Sequence, residues 1–182
     1  MVIDILQIGH PTLRKKANEL LAEQILSEEI QTLIANMCDT MRAAPGVGLA
    51  APQIDSSLQI IVIEDKPEYT QGVPAEQLEL RERRPVPLHI LINPKIIISE
   101  PRQVEFFEGC LSVEGFIAMV PRFLKVTVEA FNEKAERIQI EARGWYARIL
   151  QHEVDHLHGT LCTDRMDAAT LTTMDNYLKY RR

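Results

Sequence analysis

The chain has no apolar run approaching the ~20 residues needed to span a bilayer, so a membrane helix is not expected. It has no basic excess either: 20 Lys and Arg face 26 Asp and Glu, a formal net charge of -6. Broad nucleic-acid binding favours basic surfaces, so specific DNA binding is not expected. Cysteine is scarce, with only Cys38, Cys110 and Cys162. Three is an odd number and the spacing fits no disulfide framework. Cys38 also falls on the apolar face of a helix, so a reducing compartment is the simpler reading. No basic start leads into a long apolar stretch, and no Arg/Ser-rich presequence is seen. Folded-domain sequence begins almost at Met1, which favours the cytoplasm. Repeats, low-complexity tracts and a second domain are missing. At 182 residues and 46% hydrophobic, the chain reads as a single catalytic domain with a real core.

What the chain does carry is concentrated near its end, in Gln151-His152-Glu153-Val154-Asp155-His156. Positions four apart stack on one face of a helix. His152 and His156 can therefore share one metal ion, while Glu153, about 100° round the helix, reaches the fourth coordination position. There it is placed to take a proton from water. His-Glu-x-x-His on a helix is a sign of a metal hydrolase. The surroundings are helical: Gly144-Trp145-Tyr146-Ala147-Arg148-Ile149-Leu150 leads in and Gly159 is a C-terminal stop. Trp145, Ile149, His152 and His156 share a face, with Leu150, Val154 and Leu157 beside it, so the helix reads as buried. Arg148, Gln151 and Asp155 are expected at the outside or the margins.

Two residues compete for the third ligand position. Cys110 follows the apolar run Val104-Glu105-Phe106-Phe107 at a strand end, from which a thiolate can be aimed at a helix. Cys162 completes His-Glu-x-x-His-x-x-Gly-x-x-Cys, the metzincin frame with cysteine in place of its third histidine. Local chemistry does not separate them. Upstream, Pro45-Gly46-Val47-Gly48-Leu49-Ala50-Ala51-Pro52-Gln53 allows positive φ and close backbone approach, and ends on an amide donor.

Gly-x-Gly-Leu-Ala-Ala-Pro-Gln ending at Gln53, Glu108-Gly109-Cys110-Leu111-Ser112, and Gln-His-Glu-x-Asp-His-Leu-x-Gly ending at Gly159 stand in this order. Together they resemble the three signature motifs of the peptide deformylases. The likeness includes Gly9-His10-Pro11-Thr12-Leu13-Arg14 and Val120-Pro121-Arg122-Phe123, and covers nearly the whole chain, from Gly9 to Met166. It implies Cys110, His152 and His156 as ligands of one divalent ion. Glu153 would be the general acid/base, with Gln53 and the Leu111 N–H holding the oxyanion. It further implies removal of the formyl group from formyl-methionine at the start of nascent chains, releasing formate. Ferrous iron is the implied physiological ion, although His₂Cys also suits Zn2+, and Ni2+ or Co2+ can stand in. Val47, Gly48, Leu49, Gly109, Trp145 and Ile149 are the candidates for substrate binding. Glu114 stands where many members have proline. Together with Gly144-Trp145-x-Ala147-Arg148-Ile149, this resembles the subgroup that holds organellar and some bacterial deformylases.

The pattern reads as an α+β fold, with mixed or antiparallel sheets packed around the metal-binding helix. Ser27 caps a helix running from Glu28 toward Pro45, and strands are expected at 58–63, 88–92, 95–98 and 104–107. Phe123–Ala130 and Arg137–Ala142 read as a hairpin, and Asp167 caps a short helix. Residues 65–87 form a polar, proline-interrupted insertion, expected as a mobile loop. His10, His89 and His158 lack ligand spacing, and Asp155 reads as an orienting group or a structural ion pair. Lys179, Arg181 and Arg182 read as a solvated tail, with transient ribosome contact as the alternative. Two other classes stay open on sequence: a metzincin-like endopeptidase using Cys162, and a metal-stabilised binding module with no use for Glu153.

Overall fold

A computed structural model describes residues 1–180. Helices α1 (Ala22–Ile25) and α2 (Glu28–Ala43) come first, followed by strands β1 (Gly48–Ala50) and β2 (Ile60–Asp65). The short helix α3 (Ala75–Leu80) precedes β3 (Val86–Gly109), β4 (Phe116–Phe131) and β5 (Arg137–Arg143). Then come α4 (Gly144–Leu157), the two-residue strand β6 (Thr172–Thr173) and α5 (Met174–Tyr180). The strands pair antiparallel in the order β1-β2-β3-β4-β5, with β6 added to β4. The fold is therefore α+β, as expected. Among the described residues, no helix is long and apolar enough to cross a membrane.

Helix α2 starts where the sequence says it should. The Ser27 hydroxyl accepts from Ile30 N, and Glu28 and Glu29 sit at the positive end of the helix dipole. Its apolar stripe of Ile30, Ile34, Met37, Cys38 and Met41 packs under β2, against Ile60 and Val62. Helix α4 packs on the other face, where Ile149, Leu150, Val154 and Leu157 meet Ile61, Ile63, Val126 and Val128. Each such buried aliphatic side chain is worth roughly 2 kcal/mol. Gly159, at φ 72°, ends the helix turn as predicted, and any Cβ there would lie 2.6 Å from the Arg14 carbonyl oxygen.

Three separate expected strands are one. Residues 88–92, 95–98 and 104–107 all belong to β3, which pairs with β2 at one end and β4 at the other. Irregularities at Ile92/Lys95, Ile98/Glu100 and Glu100/Gln103 bend it rather than break it. At the first bend Asn93 takes φ 51°, and its side chain bonds both the N–H and the carbonyl of Leu20. Turn-type residues at a bulge thus mimic a strand end in sequence. The 65–87 segment, expected as a mobile insertion loop, carries local structure of its own. It contains a 3₁₀ turn (Pro67–Thr70) and α3. Asp65 is fully buried and closes the segment through two 2.8 Å bonds from Arg83. Asp167 caps a 3₁₀ turn, Ala168–Thr170, as its position implied.

Candidate metal centre and its cleft

Helix α4 follows β5 without a loop, so the helix lies across the sheet with His152, Glu153 and His156 buried. Cys110 is the first residue after β3, held where two long strands end at Gly109 and Ile117. The Cys110 Sγ and His156 Nε2 atoms are 3.3 Å apart, as are His156 Nε2 and His152 Nε2. One donor atom from each of the three residues lies within 4.8 Å of the others. Metal–sulfur and metal–nitrogen bonds of about 2.3 and 2.0–2.1 Å at tetrahedral angles give S···N near 3.6 Å and N···N near 3.3 Å. The three donors already stand at nearly those separations. Two buried imidazole nitrogens facing each other and a thiol make a poor hydrogen-bond set but a good ligand set for a divalent ion. Cys162 is not in this cluster, so the metzincin arrangement is not realised.

His152 is held by Glu108, whose Oε1 lies 2.6 Å from Nδ1. That contact places the proton on Nδ1 and leaves Nε2 to face Cys110 and His156. Burial opposes charge on His152, yet Glu108 outweighs it and lifts the imidazole to about 9. His156 goes the other way, pushed well below its ordinary value by burial and by the His152 charge. Glu108 pays for its burial with three cationic partners. Arg122 forks onto it at 2.7 and 3.2 Å, Arg148 bonds it at 2.8 Å, and His152 completes the set. These partners hold the carboxyl well below the usual range despite desolvation.

Arg148 and Gln151, expected at the margins, are buried. Arg148 lies four residues before His152, on nearly the same helix face, and reaches the carbonyls of Val104 and Val120 as well as Glu108. Gln151 bonds the Phe123 backbone twice, which stitches α4 to β4. Asp155 is half-buried and takes ion pairs from Arg122 and Arg165. Arg122 was findable. It continues the inward-facing series Ala118, Val120, Leu124, Val126, Val128 along β4, and a charge inside such an alternation needs a buried partner.

Glu153 is buried, and its Oε2 has no hydrogen-bond partner among the described residues. Burial raises its carboxyl to about 7, against the pull of His152. Gly48 explains its position: a Cβ there would lie 2.4 Å from Glu153 Oε1 and 2.7 Å from Cδ. The close approach expected of this glycine is an approach to the carboxylate. Gln53 sits in the 3₁₀ turn Ala51–Ile54, with Oε1 accepting from Ala50 N at 2.8 Å. That bond turns Nε2 toward Ser112 Oγ at 3.1 Å and Cys110 Sγ at 3.9 Å.

A cleft of about 770 Å³ opens onto this group. Val47, Gly48, Gly109, Trp145 and Ile149 line it, together with Cys110, His152, Glu153, Gln53 and Leu111. Leu49 does not. Side chains alternate along β1, so Leu49 points to the opposite face and packs fully buried in the α2 core. Arg83, from the 65–87 segment, joins the lining unforeseen. It and Arg81 both place their guanidinium carbons 5.2 Å from the Trp145 ring. The other histidines lie elsewhere: His10 caps the 3₁₀ turn Pro11–Arg14, His89 bonds the Tyr146 hydroxyl, and His158 is exposed. Lys179 lies in α5 over the Tyr180 ring, whereas Arg181 and Arg182 fall outside the described residues.

Comparison with known proteins agrees with this geometry. A family model described as polypeptide deformylase matches residues 2–171. The chloroplastic/mitochondrial peptide deformylase 1A of Arabidopsis thaliana is 47% identical over 173 residues, covering 95% of this chain and 64% of that protein. The chain thus spans under two thirds of that relative's length. The human mitochondrial peptide deformylase is 38% identical over 170 residues, covering 93% and 70%. A crystal structure of the class I type b peptide deformylase from Acinetobacter baumannii, with Met-Ala-Ser bound, superposes with a TM-score of 0.80. It shares 29% identity, over 91% of this chain and 99% of that one.

Proposed function

The chain belongs to the polypeptide deformylase family, and from that premise we propose that it hydrolyses the formyl amide of N-formyl-methionine at the start of nascent polypeptides, releasing formate. The observation that carries this is the convergence of Cys110, His152 and His156, the first two of which line a cleft that also presents Glu153 and Gln53. The tripeptide bound in the Acinetobacter protein has methionine first, which supports a substrate whose first residue is methionine.

The three ligands fit a divalent ion, ferrous iron in our reading. Such an ion supplies a Lewis acid that polarises an amide carbonyl and makes water acidic near neutral pH. The rest falls to side chains. Glu153, buried beside Gly48, accepts the proton of the attacking water and returns it to the departing amine, since one carboxyl can serve both steps. Gln53 Nε2 is aimed at the cleft floor by its bond to Ala50 N. It steadies the oxygen of the formyl group as charge develops, jointly with the Leu111 N–H, and each such donor is typically worth about 3–4 kcal/mol. Val47, Trp145 and Ile149 give the methionine side chain an apolar wall, while Gly48 and Gly109 offer backbone groups to the peptide. His152 stays oriented by Glu108, so the ligand set is formed in advance. All of this comes from one sheet, the turns at its strand ends and the helix across it, which supports a single catalytic domain, with 65–87 as an insertion at the cleft rim. Three free thiols support a reducing compartment such as the cytoplasm. A transient ribosome contact through the basic C-terminal tail would bring the cleft to nascent chains.

The test is formate release from formyl-Met-Ala-Ser by protein prepared without oxygen, wild type against Glu153→Ala. Wild type turns over, and the variant loses about 10²–10⁴-fold in rate while keeping its metal. A wild-type chain that binds metal but frees no formate refutes the assignment.

A further inference from the structure

Cys162, left without a task once Cys110 supplies the sulfur, is not an isolated core residue. It is buried with Val113 and Val120, and Cys110 packs against the same small cluster. Packing in one cluster brings the two side chains into the same small region, and neither is in a disulfide. The two cysteines differ in access. Cys110 lines the open cleft, whereas Cys162 is not among the lining residues and sits behind it. Both sit outside the strands of the sheet: Cys110 directly after β3, and Cys162 at the start of the 3₁₀ turn Cys162–Asp164. The third cysteine, Cys38, lies in the separate α2 core and touches neither.

We propose that Cys110 and Cys162 form a reversible, oxidant-driven disulfide pair, in which a peroxide entering through the cleft is reduced and Cys110 is withdrawn from the metal. The Cys110 sulfur attacks one peroxide oxygen. An S–O bond forms, the O–O bond breaks, and the hydroxide released takes a proton from solvent in the cleft and leaves as water. The Cys162 sulfur then attacks the Cys110 sulfur; the S–S bond forms, the S–O bond breaks, and a second water departs. Two thiols lose two electrons and one hydrogen peroxide gains them. A buried partner thiol in the cluster against which Cys110 packs intercepts the sulfenic acid before further oxygen is added, the step that otherwise becomes irreversible. A dithiol reductant reverses the bond by exchange. The geometry thus points to a protective site that trades activity for recovery.

The inference rests on Cys110 being a metal ligand, so two readouts are kept apart. Zinc-loaded protein is treated with hydrogen peroxide beside a chromophoric chelator, and intact mass and peptide maps are recorded. The expected product is lighter by two hydrogens, yields a Cys110–Cys162 cross-linked peptide, releases one zinc per chain, and regains both thiols and zinc with dithiothreitol. Cys162→Ser and Cys162→Val, each checked for a wild-type circular dichroism spectrum, should instead gain two or three oxygens on Cys110 and fail to rebind zinc after reduction. Wild type that gains oxygens on Cys110 with Cys162 untouched, or cross-links through Cys38, overturns the proposal. A Cys110–Cys162 cross-link with zinc retained leaves the pairing standing and overturns Cys110 as ligand.

Discussion

Adding one methyl group at Gly48 tests the catalytic geometry directly. The Gly48→Ala Cβ would lie 2.4, 2.7 and 2.8 Å from Oε1, Cδ and Cγ of Glu153. Ordinary carbon contacts begin near 3.5 Å, so something must give by about 1 Å. The backbone of Gly48 is paired to Ile63 in the sheet, and α4 is packed on both flanks, so the carboxylate is what moves. A misplacement of about 1 Å costs on the order of 100-fold in rate, which is about 2.7 kcal/mol of barrier. The three atoms nearest that Cβ all belong to Glu153 and none to a ligand, so metal content should stay at one per chain. The assay is formate release alongside metal analysis, for Gly48→Ala, Glu153→Ala and the double variant. If the methyl acts only through the carboxylate, it adds no further loss once Glu153 is gone. A Gly48→Ala enzyme within about threefold of wild type, or a double variant that falls well below Glu153→Ala, refutes the reasoning.

Further outcomes follow from the same geometry. Cys110→Ser should lose metal binding, measured by metal-to-protein ratio after dialysis, whereas Cys162→Ser should keep it; the reverse result would restore the metzincin arrangement. Glu108→Gln leaves Arg122 and Arg148 short of charge and frees the His152 ring. It should weaken metal binding about 10–100-fold and destabilise the fold by about 3–5 kcal/mol, read by chelator competition and urea melts. Leu49→Ala should lower stability by about 2–5 kcal/mol through a core cavity while leaving KM near wild type; a selective rise in KM would return Leu49 to the cleft. Trp145 is the only tryptophan and lines the cleft. Its emission should therefore change on adding Met-Ala-Ser, and an unchanged spectrum at saturation would remove it from the substrate wall.

Helix α4 was legible because its information is local: two imidazoles at helical spacing, an apolar stripe, and a glycine that takes φ 72° at the end. The β4–β5 hairpin was legible for the same reason, with Asn132–Ala135 between two alternating runs. What stayed hidden depended on partners far along the chain. Nothing near Asn93 says that its amide will bond Leu20, so a bulge in β3 reads as a strand end. Leu49 follows a glycine of the cleft, yet strand alternation turns it into the α2 core. Residues 65–87 lack an apolar period, so their short helical turns were not legible; Arg83 on Asp65 and Arg81 and Arg83 on Trp145 are contacts with partners that local sequence does not announce.

The buried charges around Glu108 pose the sharper question of why they are there. Glu108, Arg122 and Arg148 are each under 10% exposed, and apolar residues of similar volume would fill the space at equal or lower cost. Stability alone therefore does not account for them. Their arrangement does something an apolar core cannot: Arg122 and Arg148 keep Glu108 ionised, and an ionised Glu108 fixes the His152 proton on Nδ1. Arg122 also reaches Asp155, which binds Arg165 beyond the helix end. Strands β3 and β4, helix α4 and the turn bearing Cys162 are thus tied to one another through the same set of charges. Loosening any one of them would let a ligand nitrogen rotate away from the other two donors. The network is best understood as the device that holds three donors at metal spacing.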